Sequence, residues 1–376
     1  GTDWSSLSFS LKADFAEPPT DLVSLFLSFP EGASRAEIRK VSFVKDAGSP
    51  ANGGISRIGA VNWDCSRPSS TYFGFHATKS LGPERFRDRT PYYAKVIGKD
   101  KIDYADRTVE EYSVEMQYAI DAGIDYFAYC WYDKMPQPTP RPSIRAATAD
   151  PFVHEITRAR QLHAKSVLRD KLHLCAILVS CHLFSDDELA DLATEMREPW
   201  YEKVEGRPLV YLFFGLGPIE RLREICRRDG TPEPYAVLMD TRGQLVTEKT
   251  RPQLQAISSY GYTGDGKDFA AFTANAMSAN SSRANVGLPA IPHFATGWDP
   301  TPRIENPVPW ANYPAGRPYQ VAKSAADFLY MASELKKWMN ANAEKCPTGH
   351  VMTFAWNEFE EGGWICPNLG ADGRPD

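Results

Sequence analysis

A chain of 376 residues with 43% hydrophobic and 24% charged residues buries a large core and is not disordered. Its net charge of -6 lacks the basic stripe that phosphate binding needs, and no apolar run is long enough to span a bilayer, so neither nucleic acid nor membrane is an expected partner. Seven cysteines without a CxxC pair, and seven histidines without ligand spacing, argue against a metal site; no cofactor is expected.

The first 57 residues differ from the rest. "LSFSLKADF", "LVSLFLSF" and "EIRKVSFVKD" alternate apolar and polar residues, which predicts a β accessory segment over 1–57. From residue 58 to 376 the pattern becomes strand then helix, repeated. Strands are predicted at Ile58–Trp63, Ile124–Trp131, Leu172–Ser180, Leu209–Phe214, Tyr235–Asp240, Ala256–Tyr262, Leu288–Phe294 and His350–Asn357. They are short, apolar and β-branched or aromatic, as strands buried on both faces are. In "ADRTVEEYSVEMQYAIDAG", Val109, Tyr112, Met116, Ala119 and Ile120 share one helix face, and Phe328, Met331, Leu335 and Met339 repeat that spacing later. No clear helix follows the eighth strand. Eight strands in alternation with helices predict an α/β fold, a (β/α)8 TIM barrel. Long loops after the strands and short ones before them fit a site at the strands' C-terminal ends. A doubly wound sheet is the second choice, weakened by the lack of a glycine-rich phosphate loop.

Acids and aromatics recur where the strands stop. The first ends in Trp63 and Asp64, the second in Trp131, Tyr132 and Asp133. The fifth ends at Asp240, and the sixth runs through Tyr260 and Tyr262. "GWDPTPR" after the seventh supplies Trp298, Asp299 and Arg303; the eighth ends in Trp356, Asn357, Glu358 and Glu361. Each has a plainer reading: Asp64 as a cap, Asp240 and Asp299 as turn residues, Trp131 and Tyr132 as the lid of a core. For the glutamates, the flanking Trp356 and Trp364 speak against a merely solvated face. Aromatic residues make up 12%, and sugar sites use such rings, whose faces stack on C–H groups. Glycosidic cleavage needs two carboxyls, one to protonate the leaving oxygen and one to act as base or nucleophile. Strand alternation puts Trp356 and Glu358 on one side, and the turn at Gly362-Gly363 brings a second carboxyl over the same cavity. Spacing leaves both Glu360 and Glu361 open for that second place.

At these residues the chain resembles glycoside hydrolase family 99 and its WbsX-like relatives. "WNEFEEG" is similar to that group's NEW-x-EG signature, and "GWDPTPR" to the GWDNTPR of the WbsX-like branch. "YEKVEGRPLVYLFF" and "AIDAGIDYFAYCWYD" match further motifs, in the family's order, between about residues 58 and 367. The resemblance implies a (β/α)8 barrel and retaining cleavage of a glycan without a metal, through a 1,2-anhydro sugar. Carried over, Glu358 is the base on the 2-hydroxyl and Glu361 the acid/base, with the carboxyls of such a retaining pair about 5–5.5 Å apart. The chain departs from the signature at Phe359 and Glu360 and in "GGWICP". The expected protein is a glycoside hydrolase, secreted or periplasmic, with a carbohydrate as partner. A WbsX-like glycosyltransferase and a non-catalytic glycan-binding barrel are the alternatives. The first would need a DxD motif or a phosphate loop, and neither is present.

Overall fold

Eight short strands pair in parallel, each buried along nearly its whole length. They are β1 (Arg57–Asn62), β2 (Tyr126–Trp131), β3 (His173–Val179), β4 (Arg207–Phe213), β5 (Tyr235–Met239), β6 (Ala256–Ser258), β7 (His293–Ala295) and β8 (His350–Phe354). The computed structural model describes residues 54–64, 67–132, 157–179, 184–262, 264, 266–370 and 373–375. The chain divides into two compact units, Gly1–Arg39 and Lys40–Asp376. The first unit, and the three strands expected over 1–57, lie outside the described residues, as does Asp133.

The strands follow one another in the order β7-β8-β1-β2-β3-β4-β5-β6. The circle closes between β6 and the segment just before β7: the Ile257 N–H donates to Pro289 O at 2.9 Å, and the Ile291 N–H donates to Ile257 O at 2.9 Å. The sheet is therefore an eight-stranded parallel barrel, and the (β/α)8 expectation holds. Its interior is filled by side chains. Gly59 pairs with Tyr126 across β1 and β2. A Cβ at Gly59 would lie 2.2 Å from the Tyr126 ring, so only glycine lets that ring cross the barrel to its hydrogen bond with Tyr211, 2.9 Å away.

The helices are α1 (Tyr72–Leu81), α2 (Val109–Asp121), α3 (Arg158–Lys165), α4 (Asp186–Glu195), α5 (Ile219–Asp229), α6 (Phe269–Ala284), α7 (Thr301–Glu305) and α8 (Ala325–Ala341). The start of α2 is set by a capping box, with the Glu111 N–H on the Thr108 hydroxyl and the Thr108 N–H on the Glu111 carboxylate. Tyr112, Met116 and Ala119 of its predicted face are buried. In α8, Met331, Leu335 and Met339 are buried, and Phe328 packs partly buried at their edge. Two features were not predicted. Between β5 and β6 the described chain has only a single 3-10 turn at Arg251–Gln253 in place of a crossover helix. The long connection after β1 contains α1 and a hairpin, Ala94–Gly98 with Lys101–Tyr104. Among the described residues, no helix is long and apolar enough to cross a membrane.

Candidate active site

The eighth strand stops earlier than the sequence indicates. β8 ends at Phe354, and Asn357–Glu358 form a separate two-residue ladder with Gly363–Trp364. Strand alternation therefore does not extend to Glu358; the turn places it. Between the two short strands, Phe359–Glu361 make one 3-10 turn that ends at Gly362 in the left-handed region, φ 79°. A Cβ at Gly362 would lie 2.5 Å from the Asp299 nitrogen, whose N–H donates to Glu361 O at 2.7 Å. Glycine here serves both the backbone angle and the close approach.

That turn sets three carboxyls at the C-terminal end of the barrel, and Glu358, Glu360 and Glu361 are all buried. One guanidinium faces all three. The Nη1 of Arg303 donates to Glu361 Oε1; its Nη2 lies 3.5 Å from Glu358 Oε2 and 3.9 Å from Glu360 Oε2. The Tyr313 hydroxyl donates to the same Glu361 oxygen, while the Tyr260 hydroxyl donates to Glu358 Oε1 at 2.7 Å. Arg303 lies over the Trp63 ring, 4.8 Å from its centroid, and only 3% of its side chain is exposed. With three acids against one cation, burial first and the neighbouring Glu361 second push the Glu358 carboxyl well above the usual carboxylate range. Burial also raises Glu360, against the pull of Arg303.

The neighbouring sequence candidates fall into two groups. One surrounds the carboxyls. Tyr260 stacks on Phe213 with ring centroids 4.6 Å apart and planes within 10°, and its hydroxyl lies 3.5 Å from the Cys130 sulfur. Trp298 packs edge-on against Tyr313 at 5.8 Å. It lines a pocket of about 220 Å³ with Tyr313, Pro314, Arg317 and Tyr319. Tyr132, just past β2, lies near Tyr260. Trp131, the last residue of β2, faces the opposite way from Cys130 by strand alternation, and the Arg160 guanidinium covers its ring. Contrary to expectation, it belongs with the side chains that the protein itself engages.

In the second group the side chains are engaged by the protein itself. Asn357 accepts the Trp63 N–H at 2.9 Å and donates to Trp63 O and Asn62 Oδ1, so its whole amide ties the turn to the end of β1. Trp356 is fully buried, and its indole N–H meets Glu115 Oε1 at 2.9 Å; it braces the interior and is no wall of the site. Asp299 pairs with Arg89 at 2.5 Å and accepts the Thr301 N–H at 3.1 Å. It thereby anchors α7, which carries Arg303. Asp240 accepts the N–H groups of Arg242 and Leu245 at 3.1 and 2.6 Å, a turn role. Tyr262 packs edge-on against Phe272 of α6 at 5.3 Å. Asp64 accepts the Ala159 N–H at the start of α3; burial, offset by that bond and by Arg107 and Arg67, pushes its carboxyl up to about 6.

Sequence reasoning missed two residues. Tyr313 sits in the long connection after β7, where neither periodicity nor a motif marks it. Phe214 follows β4 with φ 69°, a conformation rare for a bulky residue. It is 66% exposed and stacks on Phe213 at 3.9 Å, so three rings run from solvent to Glu358. The signal available was the "FFGLG" run at a strand end.

No protein-family model and no curated protein sequence matches the chain. Among solved structures, an endo-alpha-mannosidase of family GH99 from Bacteroides thetaiotaomicron, in complex with bis-tris-propane, is similar with a TM-score of 0.49 at 13% identity, over 83% of this chain and 87% of that one. A second structure of the GH99 endo-alpha-mannosidase from that organism gives 0.45 at 14% identity, over 72% and 76%. The catalytic domain of a family GH18 chitinase from the fern Peteris ryukyuensis gives 0.32 at 11% identity, over 63% and 88%. The barrel itself rests on the strand pairing above.

Proposed function

We propose that the protein is a retaining glycoside hydrolase acting on a polysaccharide or oligosaccharide, with Glu358 and Glu361 as its working pair and a 1,2-anhydro sugar as intermediate. The observation that carries this reading is the pair itself: two buried carboxyls from one turn, at the C-terminal end of a parallel barrel, bridged by one guanidinium. That is where barrel enzymes build their sites, and two nearby carboxyls in unlike surroundings are what acid-assisted glycosidic cleavage requires. The motif resemblance in "WNEFEEG" and "GWDPTPR" points the same way. Trp298, Tyr313 and the exposed Phe214 offer ring faces around the carboxyls for sugar C–H groups. The test is incubation with plant and microbial polysaccharides without any nucleotide sugar, followed by product analysis. Shortened glycans that disappear with Glu358→Gln support the reading. No cleavage across the panel, with saturable binding of one glycan, would make the barrel a binding protein.

A further inference from the structure

The two carboxyls of the proposed pair are held very differently. Glu361 receives two donors on one oxygen: the charged Nη1 of Arg303 and the Tyr313 hydroxyl. Those two donors are themselves 3.2 Å apart, so they form one braced clamp. Among the described residues, Glu358 receives a single neutral donor, Tyr260, at 2.7 Å, and the Arg303 nitrogen reaches it only at 3.5 Å. Around Glu358 stand Cys130 from β2, Tyr260 after β6, Arg303 on α7, and Glu360 and Glu361 on its own turn, with Tyr132 and Tyr313 just beyond. Only one of these is a cation, and its short contact goes elsewhere.

Building on the hydrolase reading, we propose that Arg303 and Tyr313 reverse the order of roles that the signature implies: Glu361 is the carboxylate base and Glu358 the proton-bearing acid. A charged, doubly donated oxygen stabilises an anion. A buried carboxyl with one neutral donor and two acidic neighbours holds its proton, in line with the upward displacement of Glu358. In the first step the Glu358 proton moves to the glycosidic oxygen while the C1–O bond breaks and its electron pair leaves with that oxygen. The Glu361 carboxylate takes the proton of the sugar's 2-hydroxyl as O2 bonds to C1. In the second step a water oxygen bonds to C1 and its proton returns to Glu358. The C1–O2 pair reverts to O2, which takes back the proton from Glu361. Arg303 and Tyr313 act through Glu361 and are positioning residues.

Difference infrared spectroscopy in deuterated buffer reads the location of the proton without any substrate, so it stands apart from whether the protein cleaves glycans. The intact protein carrying Glu360→Gln, which removes the third buried acid, is titrated through and above the ordinary carboxylate range. A carboxylic-acid C=O band that persists above that range is expected. Adding Glu358→Gln should remove the component that persists to the highest pH, leaving those of the other raised carboxyls, Asp64 and Glu195. Adding Glu361→Gln should keep that component but move its loss to lower pH, because the neighbouring negative charge is gone and Arg303 is freed. Arg303→Gln should move the titration up, and Arg303→Lys should restore most of the shift, a response that a purely structural arginine would not give. Carbon-13 glutamate NMR of the wild-type protein reads the same protons should a double variant fail to fold. The proposal is overturned if no such component exists, or if Glu361→Gln abolishes it while Glu358→Gln merely shifts it.

Discussion

The barrel has a charged cluster at each end, built from the same kinds of residue in opposite proportion. At the C-terminal end three glutamates share Arg303. At the N-terminal end one glutamate, Glu202, is surrounded by donors: Arg57 Nε at 2.9 Å, His173 Nδ1 at 2.9 Å and His350 Nε2 at 3.2 Å. These come from the first residues of β1, β3 and β8, and Asp125 ahead of β2 joins through Arg57 at 3.4 Å and the Ile58 N–H at 2.7 Å. Glu202, like the three glutamates, is itself buried. Burial pushes Glu202 up, but the bonds from His173, His350 and Arg57 outweigh it and hold the carboxyl below its usual range; at the other end burial and like charge win for Glu358. The lesson is that stoichiometry, not burial, decides how a charged cluster is held: satisfied acids staple strands together, and crowded ones are pushed toward keeping a proton.

The sharpest way to break this comparison is to replace one acid at each end by its amide. Glu358→Gln and Glu361→Gln are each expected to lower glycan cleavage by about 100-fold or more, as loss of a general acid or base does, while Glu360→Gln keeps most activity. Glu358→Gln should not lower the melting temperature, because it relieves crowding among three acids; such gains are common at functional sites. Glu361→Gln should lower it, because it removes the short contact of the buried Arg303. Initial rates on a responsive polysaccharide, beside thermal melts, decide it. If the Glu360 change alone is inactive, the second carboxyl is misassigned. Glu202→Gln should do the reverse of Glu358→Gln. It takes away the closer of Arg57's two acids and leaves Asp125 at 3.4 Å. Removing one partner of a buried pair costs about 3–5 kcal/mol; the lower end is expected because Asp125 remains and Arg57 keeps 28% of its side chain in water. Activity per folded molecule should be unchanged, and denaturant titration reads the difference.

The two ends should also answer pH in opposite senses. A carboxyl held low in the folded state, as Glu202 is, contributes stability above its unfolded value of about 4.3, and that contribution is lost as pH falls through the folded value. A carboxyl held high, as Glu358 is, contributes stability below the unfolded value that is lost as pH rises through the folded one. Glu202→Gln should therefore flatten the acid limb of the stability curve, and Glu358→Gln the decline toward neutral pH. Melting temperatures of both variants across the acid and neutral ranges test this; identical curves would mean that the clusters do not differ as described.

Much of this was legible in the sequence. All eight barrel strands overlap their predicted runs because parallel strands buried on both faces leave continuous apolar stretches, and Leu288–Phe294 even spans the closing segment at residues 289–291 as well as most of β7. That Glu358, Glu361 and Arg303 come together at one end of the barrel was legible because all three stand just past strand ends. Partnership was not legible. Asn357, Asp299 and Trp356 look like ligand contacts in sequence, yet Trp63, Arg89 and Glu115 engage them, residues roughly 200 to 300 positions away. Tyr313 was invisible for the same reason: only the folded chain brings it to Glu361.

The smallest expected effect separates the ends by backbone strain. Among the described residues, two non-glycine positions have positive φ, Glu205 at 52° and Phe214 at 69°. Glu205 and Gly206 join Lys203–Val204 to Arg207 in a tight hairpin beside Glu202. Such turns favour asparagine before glycine. Phe214 closes the stack over Tyr260 at the other end. Asparagine tolerates the left-handed region, where other residues are strained by about 1–2 kcal/mol. Glu205→Asn should therefore raise stability by about 1 kcal/mol and leave glycan handling unchanged. Phe214→Asn gains the same backbone relief but gives up its ring stacking, worth about 0.5–1.5 kcal/mol, so its stability should stay near wild type. The functional difference lies in binding. On the proposed reading, losing this exposed ring should weaken glycan affinity several-fold, as should Trp298→Ala, with turnover at saturation little altered. Paired denaturation and isothermal titration with a glycan that the wild type binds would show it. Unchanged affinity in Phe214→Asn would assign the strained phenylalanine to the fold alone.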